Sequence, residues 1–407
     1  MKTVKEFCEA CLAVMGDMQA LDMPLAESLG AVLESDALAQ VSLPPVDMAS
    51  IDGFAIRSTD LARATPKKPV PLPVVGEIRA GEDSFSVLPP GHAMRVWSGS
   101  RIPKGADAVV PLEETDSGKV KVTITRSVPE GHGVRYEAED FEVGLPVLEA
   151  GTRIGSRDIA LLAAAGLGSV MVKPPPRVVV LTVGDELVEP GRTGHPGTVY
   201  DANGYGLTTA IQEIGATVFQ ATRVPDSKQD LRESLLHQIT RADTVITTGG
   251  LSSGGTGNLK EVLNQLGEVR FDRVSMAPLR QYGVGTIGAE YGMKVPIYCL
   301  PGSPVAALIG YELFVRPALR RAVGHRVMHR RAIEAEATAP WTSTVGLDEY
   351  VPVKVTGKPS TGYRFEPTGI PGVELLYGLA RANALAIIPA AQETVAVGDW
   401  LRCLILD

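Results

Sequence analysis

The sequence predicts a multidomain protein of mixed α+β and α/β class. Three observations carry this. The chain has 407 residues, too many for one ordinary hydrophobic core. Short apolar runs separated by Gly, Pro and Asp fill residues 50 to 130. After Pro174-Pro175-Pro176 the pattern changes to apolar strands alternating with helical periodicity, which is how a parallel sheet covered on both faces reads.

Residues from about 3 to 40 read as helices, with Leu12, Val14, Met15, Met18 and Leu21 at roughly helical spacing. Leu43-Pro44-Pro45 forces an extended path. Strands follow at Val70–Val75, Ala93–Trp97, Ala108–Pro111 and Val120–Ile124, and a helix returns at about 157–166. Beyond the prolines, strands are expected at Arg177–Thr182, Thr217–Val224, Thr244–Thr248 and Val295–Leu300. Helices are expected at about 203–214, 228–240, 257–266 and 304–322, with Asp226 as the N-cap of the second. Past Gly324 the chain turns β-like again, at Leu347–Val355, Ala384–Ile388 and Leu401–Leu406, as a compact barrel or sandwich.

Composition narrows the function classes. The net charge is −8 and no Lys/Arg run offsets it, which argues against nucleic acid as a partner. No stretch approaches a membrane span and the N-terminus has no apolar signal core, so a cytoplasmic protein with no direct membrane insertion is expected. Cys8 and Cys11 form a CxxC with neither a second pair nor a nearby His. They read as two small apolar residues on one helix face rather than a metal or redox site. The histidines share no motif and no G-x-S-x-G occurs, leaving acid, amide and metal chemistry.

Ligands of open parallel sheets bind beyond the carboxyl ends of the strands. Three loops there are rich in Gly or Pro: Thr182–Glu186, Thr247–Gly255 and Pro301-Gly302-Ser303-Pro304. Glycines admit close backbone approach and helix N-termini favour anions, so a phosphorylated or oxyanionic ligand is expected. None of the loops is a Walker A or Rossmann sequence. Asp185, Glu186 and Asp201 are candidates for Mg²⁺, which takes a few carboxylates plus ligand phosphates; alternatively Asp185 caps a turn and Asp201 a helix.

The order of motifs resembles the molybdenum insertases, the family of bacterial MoeA proteins and the gephyrin E domain. The resemblance runs through Pro44-Pro45, Asp52-Gly53-Phe54-Ala55-Ile56-Arg57, Gly76-Glu77-Ile78, Arg95-Val96, Ser98-Gly99, Pro103, Gly105-Ala106-Asp107 and Val134-Arg135. It continues through Glu139-Asp140, Gly184-Asp185-Glu186-Leu187, Asp201-x-Asn203, Leu300-Pro301-Gly302-x-Pro304 and Leu379-Ala380-Arg381-Ala382-Asn383. It implies a discontinuous helical domain (1–48 and 132–174), an inserted β domain (49–131), a MogA-like α/β domain (175–324) and a C-terminal β-barrel (325–407). It also implies a homodimer that inserts molybdate into adenylylated molybdopterin (molybdopterin-AMP) with Mg²⁺ and releases AMP. The implied catalytic residues are Asp52, Asp140 and Glu186, and the implied metal ligands Glu186 and Asp201. Ser98, Arg135, Asp201, Gly249, Gly250, Ser252, Arg280, Pro301, Ser303 and Pro304 are the implied ligand-binding residues.

Departures from the family pattern gather at the ligand end. Gly257 aligns with a ligand-binding Asp, and Ala277-Pro278-Leu279-Arg280-Gln281 with K-P-G-K-P, so one lysine is lost and Arg280 stands in for the other. Ser303 replaces an Asn, Tyr377-Gly378 a serine pair, and Leu347-Asp348 an expected arginine. Arg for Lys changes donor geometry while keeping charge. These changes motivate a second expectation, a gephyrin-like dimeric scaffold binding short peptide tails of membrane or cytoskeletal proteins such as a bacterial tubulin homologue. Its candidate contacts are Tyr350, Tyr363, Phe365, Pro371 and Tyr377.

Overall fold

The computed structural model describes residues 1–82, 86–251 and 257–406, and for residues 220 and 221 the backbone alone. The first helix, Val4–Val14, starts at a capping box: Thr3 Oγ1 accepts the Glu6 N–H at 3.2 Å, and Glu6 returns a carboxylate to the Thr3 N–H at 2.7 Å. Its buried face, Phe7, Cys8, Cys11 and Met15, packs into the core of the α/β unit beside Tyr282, Tyr298 and Phe314. Burial pushes the Cys8 thiol up to about 11, helped by Glu9. That suits packing rather than reactivity.

The expected helices up to residue 40 end with this one. Gly16 and Asp17 follow it, then Pro24 and Gly30 interrupt the pattern, and the short pieces Leu21–Pro24 and Val32–Leu33 pair instead with the Ser169–Lys173 strand. The helix Ser156–Ala164 closes that small core through Leu162 and Ile159.

The segment between these two chain passages is a five-stranded sheet. Its order is Ala108–Pro111, Gly53–Ile56, Ala93–Val96, Val70–Ile78, Lys121–Ile124. Phe54, Ile56, Val110, Val122 and Ile124 fill its interior. Gly53 is required by packing, because a Cβ there would meet the Val110 carbonyl oxygen at 2.1 Å.

The α/β unit is a six-stranded sheet. The strands Thr217–Val224, Arg177–Val183, Thr244–Thr248 and Val295–Leu300 are parallel, as the apolar runs predict. Sequence reasoning missed the antiparallel pair that extends one edge, Gln281–Ile287 and Gly267–Arg273. The first of these is glycine-rich, and the second alternates polar and apolar residues, so neither reads as a continuous apolar run. Helices Ala202–Glu213, Lys228–Ile239, Asn258–Leu266 and Pro304–Gly310 cover the faces. The expected cap at Asp226 is in fact Ser227, whose Oγ accepts the Asp230 N–H at 3.1 Å.

The last unit closes on itself. Strands Asp348–Lys358, Gly362–Pro367, Ala332–Ala337, Trp400–Ile405 and Ala384–Ile388 pair in a ring that returns to the first. The barrel core holds Val353, Phe365, Ala384 and Cys403. A two-residue strand, Met276–Ala277, joins the barrel edge in parallel to Asp348-Glu349, which ties the 277–280 loop of the α/β unit to the last domain.

Candidate active site

The strand register sets the site. Thr182 lies opposite Thr248, and Thr248 opposite Leu300, so the three following loops emerge side by side. They line a cleft of about 730 Å³ with Asp185, Glu186, Asn203, Asp226, Arg273 and Arg280. Backbone crowding explains the glycines. Gly249 has φ 86°, and a Cβ on it would meet the Val183 carbonyl oxygen at 2.2 Å. Gly302 lies against Gly249, 3.4 Å from the position of its own missing Cβ to the Gly249 Cα. Only glycine lets the loops approach this closely.

Asn203 holds the loops together. Its amide Nδ2 donates to Thr248 Oγ1 at 2.7 Å and to the Gly302 carbonyl at 2.8 Å. Its Oδ1 is buried with no hydrogen-bond partner among the described residues. A buried carbonyl oxygen in a cleft wall is an acceptor offered to a ligand N–H or O–H.

The carboxylates divide by role. Asp201 caps the helix Ala202–Glu213: its Oδ1 accepts the Gly204 N–H at 2.9 Å and its Oδ2 the Thr182 hydroxyl at 2.8 Å. It lines a neighbouring pocket with Glu189, Tyr205 and Arg223 rather than the main cleft. Asp185 Oδ1 accepts the Asp226 N–H at 3.0 Å, which fixes the first loop against the start of the next helix. Glu186 makes no side-chain hydrogen bond among the described residues, and its carboxylate lies over Gly184, where a Cβ would meet Oε2 at 2.6 Å. That carboxylate faces the cleft uncommitted.

The third loop carries an unexpected partner. Ser303, at the N-cap of the Pro304–Gly310 helix, donates its hydroxyl to Glu374 of the barrel domain. A carboxylate therefore sits beside the Pro301-Gly302 backbone where an anionic ligand would dock. Pro304 occupies the first helical turn, where its missing N–H costs nothing.

The remaining expected residues lie elsewhere. Asp52 accepts the Ser98 N–H at 2.7 Å, and Ser98 Oγ donates to the Ser50 carbonyl at 3.3 Å. Arg135 stands nearby through the pairing of Val134-Arg135 with Met48-Ala49, and faces Glu139 at 3.7 Å. Asp140 is exposed, its N–H bonded to the Leu43 carbonyl. All four are exposed, and none lines the strand-end cleft within one chain. Ser252 lies outside the described residues. Gly250 and Leu279 line the cleft beside Arg280, whereas Ala277 belongs to the barrel-edge strand. Gly257, with φ 71°, precedes the Asn258–Leu266 helix.

Of the proposed peptide contacts, Tyr350 and Phe365 are 6% and 1% exposed and belong to cores, so no partner reaches them. Successive strand residues point to opposite faces, so Phe365 turns into the barrel core and Tyr350 outward into the core of the α/β unit. Tyr363 is half-buried, and Pro371 and Tyr377 stand at the surface, Tyr377 with its hydroxyl accepting from Arg381 at 2.6 Å.

Sequence reasoning missed Asp226, Arg273 and Glu374. Asp226 was visible only as a helix start. Glu374 bonds to Ser303 across a domain boundary that leaves no periodic signal.

Comparison with known proteins agrees with this architecture. Residues 2–166 match the MoeA N-terminal region (domain I and II), residues 179–321 a probable molybdopterin binding domain, and residues 334–406 the MoeA C-terminal region (domain IV). Molybdopterin molybdenumtransferase 1 of Mycobacterium tuberculosis is 34% identical, over 98% of this chain and 97% of its own. Molybdopterin molybdenumtransferase of Staphylococcus epidermidis is 28% identical over 100% of this chain and 96% of its own. The crystal structure of a molybdopterin biosynthesis MoeA protein from Pyrococcus horikoshii superimposes with a TM-score of 0.82 at 27% identity, covering 100% of this chain and 99% of the other. With one third of its residues shared along its full length, this chain belongs to the MoeA family of molybdopterin molybdenumtransferases.

Proposed function

We propose that the protein acts in molybdenum cofactor biosynthesis as a working insertase, joining molybdate to the dithiolene of adenylylated molybdopterin and releasing AMP. The observation that carries this is the strand-end cleft, lined by glycine-backed loops, by Arg273 and Arg280, and by Glu186, whose carboxylate makes no side-chain hydrogen bond among the described residues. Backbone N–H groups of the glycine loops suit phosphate oxygens, and the guanidiniums hold an oxyanion by charge-assisted hydrogen bonds.

The family implies Mg²⁺, and the donor set fits it. Glu186 is free to bind, with Asp185 and Asp226 on the same wall. Among the described residues no three acidic or His/Cys side chains converge on a point, so ligand phosphates and water would have to supply most of the ion's shell. Asp201 accepts one hydrogen bond on each oxygen and keeps lone pairs for the ion. When bound, the ion would offset charge developing on the phosphate during cleavage. The chain's own residues do the rest: Asn203 presents an acceptor, Arg280 and Arg273 orient the anion, and Glu186 positions water or metal at the phosphoryl bond.

The exposed group of Asp52, Ser98, Arg135 and Asp140 completes a site of this kind only from a second copy, which is why we assign the protein a homodimeric state. A second role as a dimeric scaffold for peptide tails is favoured by one feature, the exposed apolar run Ile370, Val373, Leu376 and Tyr377 beside the cleft. Purified protein supplied with adenylylated molybdopterin, molybdate and Mg²⁺ should release AMP, and Glu186→Gln should release it roughly 100-fold more slowly. Absence of AMP release from a folded dimer would leave the scaffold role in its place.

A further inference from the structure

Residues 316 to 331 carry six arginines, two histidines and no acid, in a chain whose net charge is −8. Three of those arginines are satisfied where they stand. Arg320 Nε donates to the Val327 carbonyl at 2.7 Å, Arg321 Nη1 to the Leu12 carbonyl at 3.3 Å, and Arg326 pairs with Glu149. The other three, Arg316, Arg330 and Arg331, face a groove of about 510 Å³ between the end of the α/β unit and the barrel.

One carboxylate, Glu312, contacts this group, and Glu213 acts on Arg316 and Arg330 from farther off. Glu312 takes Arg330 in a bidentate pair, both N···O distances being 2.9 Å. Arg316 Nε lies 3.6 Å from the same carboxylate, beyond hydrogen-bond reach, and has no hydrogen-bond partner among the described residues although the residue is 8% exposed. Its Nη1 is spent on the Met328 carbonyl. Burial and the charge of Arg330 hold the Arg316 guanidinium below its ordinary pKa, as happens where positive charge is undercompensated. Arg331 is exposed and makes no side-chain hydrogen bond or ion pair among the described residues. Arg316 and Arg330 thus share Glu312, and Arg331 has no ion pair among the described residues, so positive charge is in excess along the groove.

The opposite wall differs. Ile333, Val355 and Ile405 make it apolar, and the ring of Tyr363 stands at its edge. Excess positive charge matches an anion, planar guanidiniums match phosphate oxygens, and an apolar wall favours an organic body over a bare ion.

We propose that this groove is a second ligand site, distinct from the strand-end cleft, that binds a phosphate monoester. The phosphate lies against Arg331 and the undercompensated Arg316, and the organic body packs on Tyr363.

Calorimetric titration of the full-length protein tests this, with phenyl phosphate and inorganic phosphate as probes. Phenyl phosphate should bind saturably and more tightly than inorganic phosphate. Arg331→Glu should weaken both by roughly tenfold or more, the size of one lost charge-assisted hydrogen bond, whereas Arg331→Lys should cost only a few-fold. Tyr363→Ala should weaken phenyl phosphate alone, and in an Arg280→Ala background, which weakens binding at the strand-end cleft, the Arg331-dependent binding of both probes should persist. Arg331 is at the surface, so an unchanged melting temperature is expected and verifies the fold. No saturable binding at millimolar probe, binding indifferent to Arg331→Glu, or binding lost in Arg280→Ala would each overturn the proposal.

Discussion

Replacing Asn203 by alanine removes two hydrogen bonds at once, to Thr248 Oγ1 and to the Gly302 carbonyl, at 2.7 and 2.8 Å. Each is worth a net 0.5–1.5 kcal/mol on average, so the two loops lose about 1–3 kcal/mol of mutual stabilisation. The loss is local, because Asn203 bridges loop ends and is not part of the apolar core. Hydrogen exchange read by mass spectrometry is therefore the right assay, since it reports opening free energy segment by segment. Peptides covering 246–251 and 300–306 should exchange about five- to 150-fold faster in Asn203→Ala, with the barrel strands unchanged. Asn203→Asp, which keeps the shape and removes the donor, should match the alanine variant or exceed it. Protection unchanged within a factor of two in both variants would refute the claim that this amide clamps the cleft.

Other perturbations have equally definite outcomes. Glu374→Gln removes a carboxylate from the Ser303 helix cap and should tighten AMP binding about fivefold by titration, the effect of about 1 kcal/mol of relieved repulsion at a partly exposed site; weaker binding would show that Glu374 supports the ligand instead. Arg280→Ala should weaken AMP or molybdate binding about tenfold, with Arg280→Lys intermediate. His325 is buried near Arg320, Arg153 and Arg316, and burial first, then those charges, lowers its pKa to about 4 from 6.5. Its folded pKa lies below the unfolded one, so its contribution to stability is complete above about pH 6.5 and is lost as pH falls toward 4. Melting temperature followed over that window should fall less steeply in His325→Gln, and an identical slope would remove His325 from the acid response. All four cysteines are buried, with Cys299 and Cys403 pushed up to about 12 by burial, so a thiol reagent at pH 8 should label the native protein slowly and the unfolded protein at once.

Legibility from sequence varied with the kind of physics involved. The four parallel strands were readable because strands buried on both faces are continuous apolar runs, as in Val178-Val179-Val180-Leu181. The glycine loops were readable because only glycine tolerates the approach seen at Gly249. The edge strand Gly267–Arg273 was not, since four of its seven residues are charged and only Val269 is buried. Residues 21 to 40 misled because their apolar residues are spaced as in a helix, while Pro24 and Gly30 and the distant partner strand 169–173 decide the outcome.

The site was half legible. Glu186 and Arg280 were found from motif order and do line the cleft. Asp201 was visible both as a ligand and as a helix cap, and its two hydrogen bonds make it the cap in this conformation. Glu374 was hidden because its contact joins residues 71 positions apart in different domains. The arginine groove was hidden for a similar reason: the sequence shows the charges of 316–331 but not that Glu312 is shared among them.

The central claim is that the cleft still performs metal insertion despite its altered ligand residues. Complementation tests it most directly, in a bacterium lacking its own insertase, scored by nitrate reductase activity at matched expression. The expected result is rescue by the wild-type chain and no rescue by Glu186→Gln, whose carboxylate makes no hydrogen bond that the fold needs among the described residues. Failure of the wild-type chain, folded and dimeric in that host, would contradict an active insertase, and rescue that persists in Glu186→Gln would contradict the role given to that carboxylate.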